Sequence, residues 1–350
     1  MTDSVDLDGL LQTLRNTPAM RSKQAIQQPA RALVDGPQQP QKQLTRAELY
    51  ALPGDDTAAI AFGEHFQLLA IEGMLPGFVK AAPWFAGWSA VMANVSDITA
   101  MGGRATAVVN AYWHHDDAAA QEILAGMRAA CEAYGLMLAG GHTSLAAHNP
   151  TALAVAITGI ASRLLSTLHV KPGQIIAMAV DLEGYWHADS TYWKAFEGVP
   201  AERLRSKLEV LPRLAEAELL HAAKDISNAG VLGSLLMLLE TTGCGGDIDL
   251  RQLPCPVEGE AGFDWARWLQ VFPSYGFLMT LDEADWPNVQ AAFAFEGLRC
   301  ERIGRVNDSG ELSVQHGLQR RTFWNLGEQP FTGFSYPHLD LSPLSVHKEH

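Results

Sequence analysis

From Ala58 onward apolar residues recur densely along the chain, and their spacing switches between two periods. Short β-rich runs at 66–71 ("FQLLAI"), 106–113 ("TAVVNAYW"), 136–140 ("LMLAG") and 152–161 ("ALAVAITGIA") read as strands. Between the first two, residues 83–101 open on Pro83 and set Trp84, Trp88, Val91, Val95 and Ile98 along one helical stripe. The other side of that helix holds Ser89, Ala90, Ala93, Ser96 and Ala100, so both sides are expected to be packed. Residues 116–135 begin with acids and end at Gly135, as a capped amphipathic helix does.

A second unit opens at 170–184 with a turn and a strand. Helices are predicted over 188–196, 201–223, 229–242 and 285–296, and strands over 246–250, 275–281 and 299–306. Past residue 310 the polar, aromatic tail reads as a strand pair followed by a loose end. Alternating elements in both halves predict an α/β or α+β protein with a boundary at 162–170. The expected division is an arm and linker over 1–45, an N-terminal domain over 46–165, a C-terminal domain over 166–310 and a tail over 311–350. The arm carries helical stretches and closes in the Gln/Pro-rich "QQPARALVDGPQQPQKQ", an exposed linker by composition.

Composition narrows the class. The 350 residues suffice for two cores, and 47% hydrophobic against 18% charged residues describes a folded chain. With 25 Lys and Arg against 39 Asp and Glu the formal charge is -14, which argues against nucleic acid or an anionic membrane as the main partner. An anionic small-molecule substrate would need metal ions or local cations to hold it. No uninterrupted apolar run reaches membrane-spanning length. Cys131, Cys244, Cys255 and Cys300 form no C-x-x-C pair, so neither a zinc site nor a disulfide framework is expected. The start "MTDSVDLDGL" lacks a signal peptide's basic and apolar regions, and a cytoplasmic location is expected.

Five stretches carry candidate chemistry. Asp97 is the only charged side chain between Ala81 and Gly103, and Asn94 lies three residues before it on the same helical flank. A carboxylate in such surroundings is costly unless it meets a cation, a metal or several donors; taken alone, capping a loop or pairing with Arg104 would explain it. "PGDDTAAI" sets Asp55 and Asp56 side by side in a turn, and Glu72 ends the strand "LLAIE". These acids would converge if the strands pair and the helix packs on them, and hard divalent cations such as Mg2+ favour carboxylate oxygens. "LAGGHTS" follows a strand with two glycines that let backbone N–H groups approach an anion, or simply make a turn. In "AKDISNAGVLGSLLMLLE", helix capping accounts for Ser227 and Asn228 and leaves Asp225 unexplained.

The order of these motifs resembles the superfamily of aminoimidazole ribonucleotide synthetase, selenophosphate synthetase, thiamine-monophosphate kinase and a hydrogenase maturation factor. The resemblance is carried by "GDDTAAI", "NVSDITAMGG", "LAGGHTS…LAVAITGIA", "KPGQII", "KDISNAGVLGSLLMLLETTGCGGDIDL", "SYGFLMTL" and "IGRV", from about residue 53 to 306. It implies a two-domain fold whose N-terminal domain closes a β-barrel with its twin across a homodimer, beside a C-terminal α/β domain. It further implies ATP and Mg2+ as cofactors, with Asp55 or Asp56, Glu72, Asp97 and Asp225 at the metal. Asn94, Gly140, Gly141, His142 and Thr143 fall on the nucleotide-proximal stretch. Glu72 stands where the family generally has Asp.

The implied activity is ATP-driven phosphorylation or cyclisation of a small metabolite. Residues 1–52 contain no cysteine, unlike the N-terminal segment of selenophosphate synthetase. A reading of another class is a non-catalytic nucleotide-binding scaffold or maturation factor, recruiting a partner through its arm and Trp186, Trp193, Trp265, Trp268 and Trp324; core burial is the alternative fate of these rings.

Overall fold

The computed structural model describes residues 5–34, 51–114, 117–146, 148, 151–256, 263–273 and 276–337. Five strands form a first sheet: β1 (Ala58–Phe62), β2 (His65–Gly73), β3 (Arg104–His114), β4 (Met137–Leu145) and β5 (Ala152–Ala161), in the order β1-β2-β5-β3-β4. Only β3 and β4 run parallel. One face buries Leu68, Val108, Tyr112, Val155 and Ile157 against the helix Pro83–Ala100, on which Asp117–Tyr134 packs in turn. Period-2 alternation sends Ile60, Leu69, Ile71, Val109 and Ile160 to the other face, where they are exposed.

Two glycines set the spacing of the helix pair. A Cβ on Gly126 would lie 2.0 Å from the Trp84 carbonyl oxygen, and one on Gly87 would lie 2.1 Å from that of Ile123. The backbones therefore touch where both sequences supply glycine, which draws the packed helix pair onto the sheet.

The second unit is a mixed sheet of β6 (Ile175–Val180), β9 (Ala222–Asp225), β10 (Gly245–Asp249), β11 (Gly276–Leu281), β12 (Arg299–Asn307), β13 (Glu311–His316) and β14 (Gln319–Asn325). Its order is β14-β13-β10-β12-β6-β11-β9. One face packs on Gly230–Glu240 together with Leu7, Leu11 and Leu14 of the helix Leu7–Arg15. The other packs on Val210–Glu216 and Trp286–Phe295. The strand pair expected past residue 310 is thus the sheet's outer hairpin, and part of the arm is core of the same unit. Arg15 fixes it by donating to the Phe323 and Thr322 carbonyls at 2.8 and 2.7 Å.

Three predicted elements differ. Residues 188–196 form no helix but the turn of a short hairpin, β7 (Tyr185–Trp186) with β8 (Trp193–Lys194). Ala188 adopts φ 48°, and Trp193 is buried with its indole N–H on the Asp181 carbonyl at 2.9 Å. The helix predicted over 201–223 is two helices, Ala201–Leu208 and Val210–Glu216, followed by β9. Pro212 has no N–H to extend the first helix but fits the first turn of the second, and Glu218 at φ 57° turns the chain toward β9. The strand predicted over 136–140 runs on to Leu145, so Gly140, Gly141, His142 and Thr143 lie inside β4, with a register shift between Leu138 and Gly140, and not in a turn beyond it. The Gln/Pro-rich stretch expected to be an exposed linker is helical over Gln27–Val34, with Ala30 buried, and its remainder, 35–43, lies outside the described residues.

Among the described residues no helix is long and apolar enough to cross a membrane. Gly126→Ala is expected to force the helix pair apart and lower stability by about 1–3 kcal/mol. Chemical denaturation of the two proteins checks this.

Candidate metal and nucleotide site

The loop before β1, the C-terminal turns of Pro83–Ala100 and the end of β9 meet where the two units join. There Asp56, Asp97 and Asp225 each present a carboxylate oxygen within 4.8 Å of the others. Beside them is a cavity of about 260 Å3, lined on its polar side by Lys23, Glu72, Asp97, Asp225 and Asn228. Its apolar side is built by Met74, Phe78, Tyr192 and Phe272. Tyr192 is tilted against Phe78 at 4.9 Å and meets Phe272 edge-on at 5.1 Å.

The adjacent acids of the "GDD" turn have different partners. Asp55 accepts from Ser166 Oγ at 2.6 Å and from Thr167 N and Oγ1, both at 2.7 Å, so it fastens the start of the second unit to the first. Asp56 turns the other way, to Lys224 Nζ and to the backbone N–H of Asp225 at 3.1 Å.

Behind this turn lies a strap of residues 331–336. Buried Glu240 accepts from Phe331 N, Thr332 N, Thr332 Oγ1 and Gly333 N at 2.5–3.1 Å, and Tyr336 OH donates to the Pro53 carbonyl at 2.9 Å. Gly54, at φ 119°, lies under Phe334, where a Cβ would sit 3.0 Å from that ring's own Cβ.

Electrostatics mark the cluster as short of positive charge. Burial first, then the Asp56 carboxylate, raise Asp225 to a pKa of about 7. Burial and then Asp225 push Asp97 well above the usual carboxylate range, and burial raises Glu72. Burial alone would lower Lys224, but Asp56 and Asp225 more than offset it and hold its ammonium charged. One fixed ammonium and the more distant Lys23 face four acids. The donor set is entirely hard oxygen, and it fits a divalent cation of the Mg2+ kind rather than a soft metal.

Asn94 does not share this place with Asp97. Its amide donates to the Ala90 and Val155 carbonyls at 2.7 and 3.0 Å, so it ties the helix to β5 and faces away from the cavity. Gly140, Gly141, His142 and Thr143 lie exposed on edge strand β4 and do not line the cavity either. Ser227 and Asn228 do line it; the helix Gly230–Glu240 has no side-chain cap, so capping is not what they do. Lys23, Tyr192 and Phe272 carry no motif, and only the packing of the arm and of the β7–β8 hairpin reveals them. Of the five tryptophans weighed as partner contacts, Trp193, Trp268 and Trp324 are core.

Fold and site together define a class. Residues 54–161 match the N-terminal domain of AIR synthase related proteins and residues 183–317 match their C-terminal domain. The two matches span more than half of the chain, and it belongs to that family. Over 331 residues it is 39% identical to an uncharacterised protein of Synechocystis sp., covering 94% of this chain and 99% of that one. Over 242 residues it is 31% identical to a thiamine-monophosphate kinase of Methanospirillum hungatei, covering 66% and 77%. The structure of T. maritima PurL complexed with ATP aligns with a TM-score of 0.65 at 16% identity, a likeness of fold, over 81% of this chain and 47% of PurL. The chain thus spans about half the length of PurL.

A raised carboxylate pKa has a definite sign. The folded state disfavours the ionised form of Asp225, so this group's contribution to metal-free stability falls as pH rises from about 4 to about 7 and is level above that. Mg2+ requires the ionised form, and its affinity is expected to climb through pH 7 by up to about tenfold per pH unit for each proton displaced. Thermal melts with Mg2+ and with EDTA check this: the gap between them is expected to be wider at pH 8 than at pH 6, and Asp225→Asn is expected to remove most of it.

Proposed function

We propose that the chain is an ATP- and Mg2+-dependent enzyme that transfers a phosphoryl group to a small metabolite or uses ATP to close a ring in one. The observation that carries this reading is the convergence of Asp56, Asp97 and Asp225, from three distant segments, at the edge of one cavity. Phosphoryl transfer asks of a protein mainly positioning and charge compensation. Asp56, Asp97, Asp225 and Glu72 would hold the metal, which when bound neutralises phosphate charge and polarises its oxygens. Lys224 orients Asp56, Lys23 adds a cation on the cavity wall, and the wall of Met74, Phe78, Tyr192 and Phe272 excludes water from the acceptor's side. Selenide as the acceptor is disfavoured, because no cysteine occurs in the segment before residue 53.

The reading extends to assembly and location. The exposed apolar face of the first sheet supports a homodimer in which two such faces close on each other, and the acidic chain fits a cytoplasmic enzyme without nucleic-acid or membrane partners. Within one copy Gly140, Gly141, His142 and Thr143 are remote from the cavity lining, so a part for them in nucleotide binding requires the second copy.

Purified protein incubated with ATP, Mg2+ and a metabolite panel is expected to release ADP or phosphate. Asp97→Asn is expected to lower that rate at least about 100-fold, beyond the roughly 10–100-fold typical of outer residues around a metal. Failure to bind or turn over ATP with any divalent ion would overturn the proposal, whereas binding without turnover favours the scaffold reading. In sedimentation, Ile71→Asp with Val109→Asp is expected to convert dimer to monomer.

A further inference from the structure

The seven-stranded sheet is covered unevenly on one face. Over β6 and β11 that face buries Ile175, Ala177, Phe277 and Met279 under the helices Val210–Glu216 and Trp286–Phe295. Its continuation can be followed through the register: Arg305 lies opposite Ile175, Asp247 opposite Arg305, and Ser313 opposite Asp247. Residues paired across strands point to the same side, so over β10, β12 and β13 the same face changes from apolar to polar. No described helix covers it there. Instead the strands floor a cleft of about 890 Å3, walled by Trp286 and Gln290 on one side and by the segment from Arg251 to Cys255 on the other.

Five arginines line this cleft, Arg251, Arg299, Arg302, Arg305 and Arg320, in a chain of net charge -14. The carboxylates in the lining are Asp247, Asp249 and Glu301. Each arginine is held by an acid: Arg251 by Asp249 at 2.7 Å, Arg320 by Asp247, Arg299 by Glu301, and both Arg302 and Arg305 by Glu283. By the same register Arg299 and Glu301, opposite Val180 and Met178, leave from the other side of β12, so three carboxylates, Asp247, Asp249 and Glu283, meet four guanidiniums, and one acid is shared by two of them. Arg302 gives Glu283 a single hydrogen bond, at 2.5 Å, which leaves most of its fork of donors free to turn to a ligand. The arginines are thus fixed in place yet not fully engaged. An apolar partner would strand these charges, whereas a phosphate matches the guanidinium fork in shape and sign.

We propose that this cleft binds a small phosphorylated metabolite bearing two or more negative charges. Its volume lies in the range of small-molecule sites, and walls on two sides of a strand floor suit a compact ligand better than an extended chain. The site is separate from the carboxylate cluster. Asp225 is on β9, three strands from β12, the nearest strand of the cleft floor, roughly 14 Å at the usual strand spacing.

Titration calorimetry on the full-length protein in EDTA at low salt, with inorganic pyrophosphate and ribose 5-phosphate as probes, tests the proposal while the acid cluster, lacking metal, repels both. Saturable binding of at least one probe is expected, weakened at least tenfold by 0.5 M NaCl and at least tenfold by Arg302→Ala with Arg305→Ala. Because that double variant frees Glu283 and can unsettle the sheet, hydrogen exchange on the unaltered protein supplies a second reading. Protection by the probe is expected in 247–255 and 299–305 and not in 222–228. Absence of saturable binding by both probes, protection at 222–228 instead, unchanged affinity in the double variant, or binding of a glutamate decamer in place of both phosphates would each overturn it.

Discussion

Mutual repulsion among buried carboxylates is the constraint around which this molecule is arranged. Asp56, Asp97 and Asp225 are brought together at the junction of two units with Glu72 close by, and one ammonium, Lys224, is fixed against them. A chain free to relax would spread these groups into water. They stay because each belongs to an element committed elsewhere. Asp97 rides on a helix packed on both sides, Asp225 ends a strand paired with β11, and Asp56 follows an aspartate anchored to Ser166 and Thr167. The scaffold bears the electrostatic cost, and the Lys224 ammonium offsets part of it.

Much of this arrangement is legible in the sequence because it rests on local pattern. Pro83, the apolar stripe and the closing glycines delimit the long helix, and the alternation in 152–161 specifies β5 to the residue. The candidate acids are visible as charges at the ends of apolar runs. What local pattern does not carry is which way a side chain turns. Asp55 and Asp56 are indistinguishable as neighbours, and only their opposite bonding separates them. Asn94 and Asp97 share a helical flank by spacing, yet β5 lies close enough to capture the asparagine. Gly140 and Gly141 read as a turn, but pairing with β3 absorbs them into a strand. Lys23 was invisible for another reason: it arrives through the docking of a Gln-rich arm, a contact across the whole chain.

The two sheets manage their faces differently. The first leaves an apolar face open, which is intelligible if another apolar surface closes it. The second leaves open a patch that is charged, which no hydrophobic surface could close without stranding ions. An acidic protein therefore carries a group of arginines on a surface of its own, apart from the cluster of Asp56, Asp97 and Asp225.

The strap held by Glu240 has a temporal meaning. Tyr336 and Pro53 are joined by a hydrogen bond across 283 residues of chain. A chain emerging from the ribosome exposes the aspartate turn early, while the tyrosine that secures it follows 283 residues later. Over that interval the first sheet and its helices can fold around Asp56 and Asp97 before Asp225 and the strap close on them. Closure of the acid cluster is in this way ordered by the direction in which the polypeptide is synthesised.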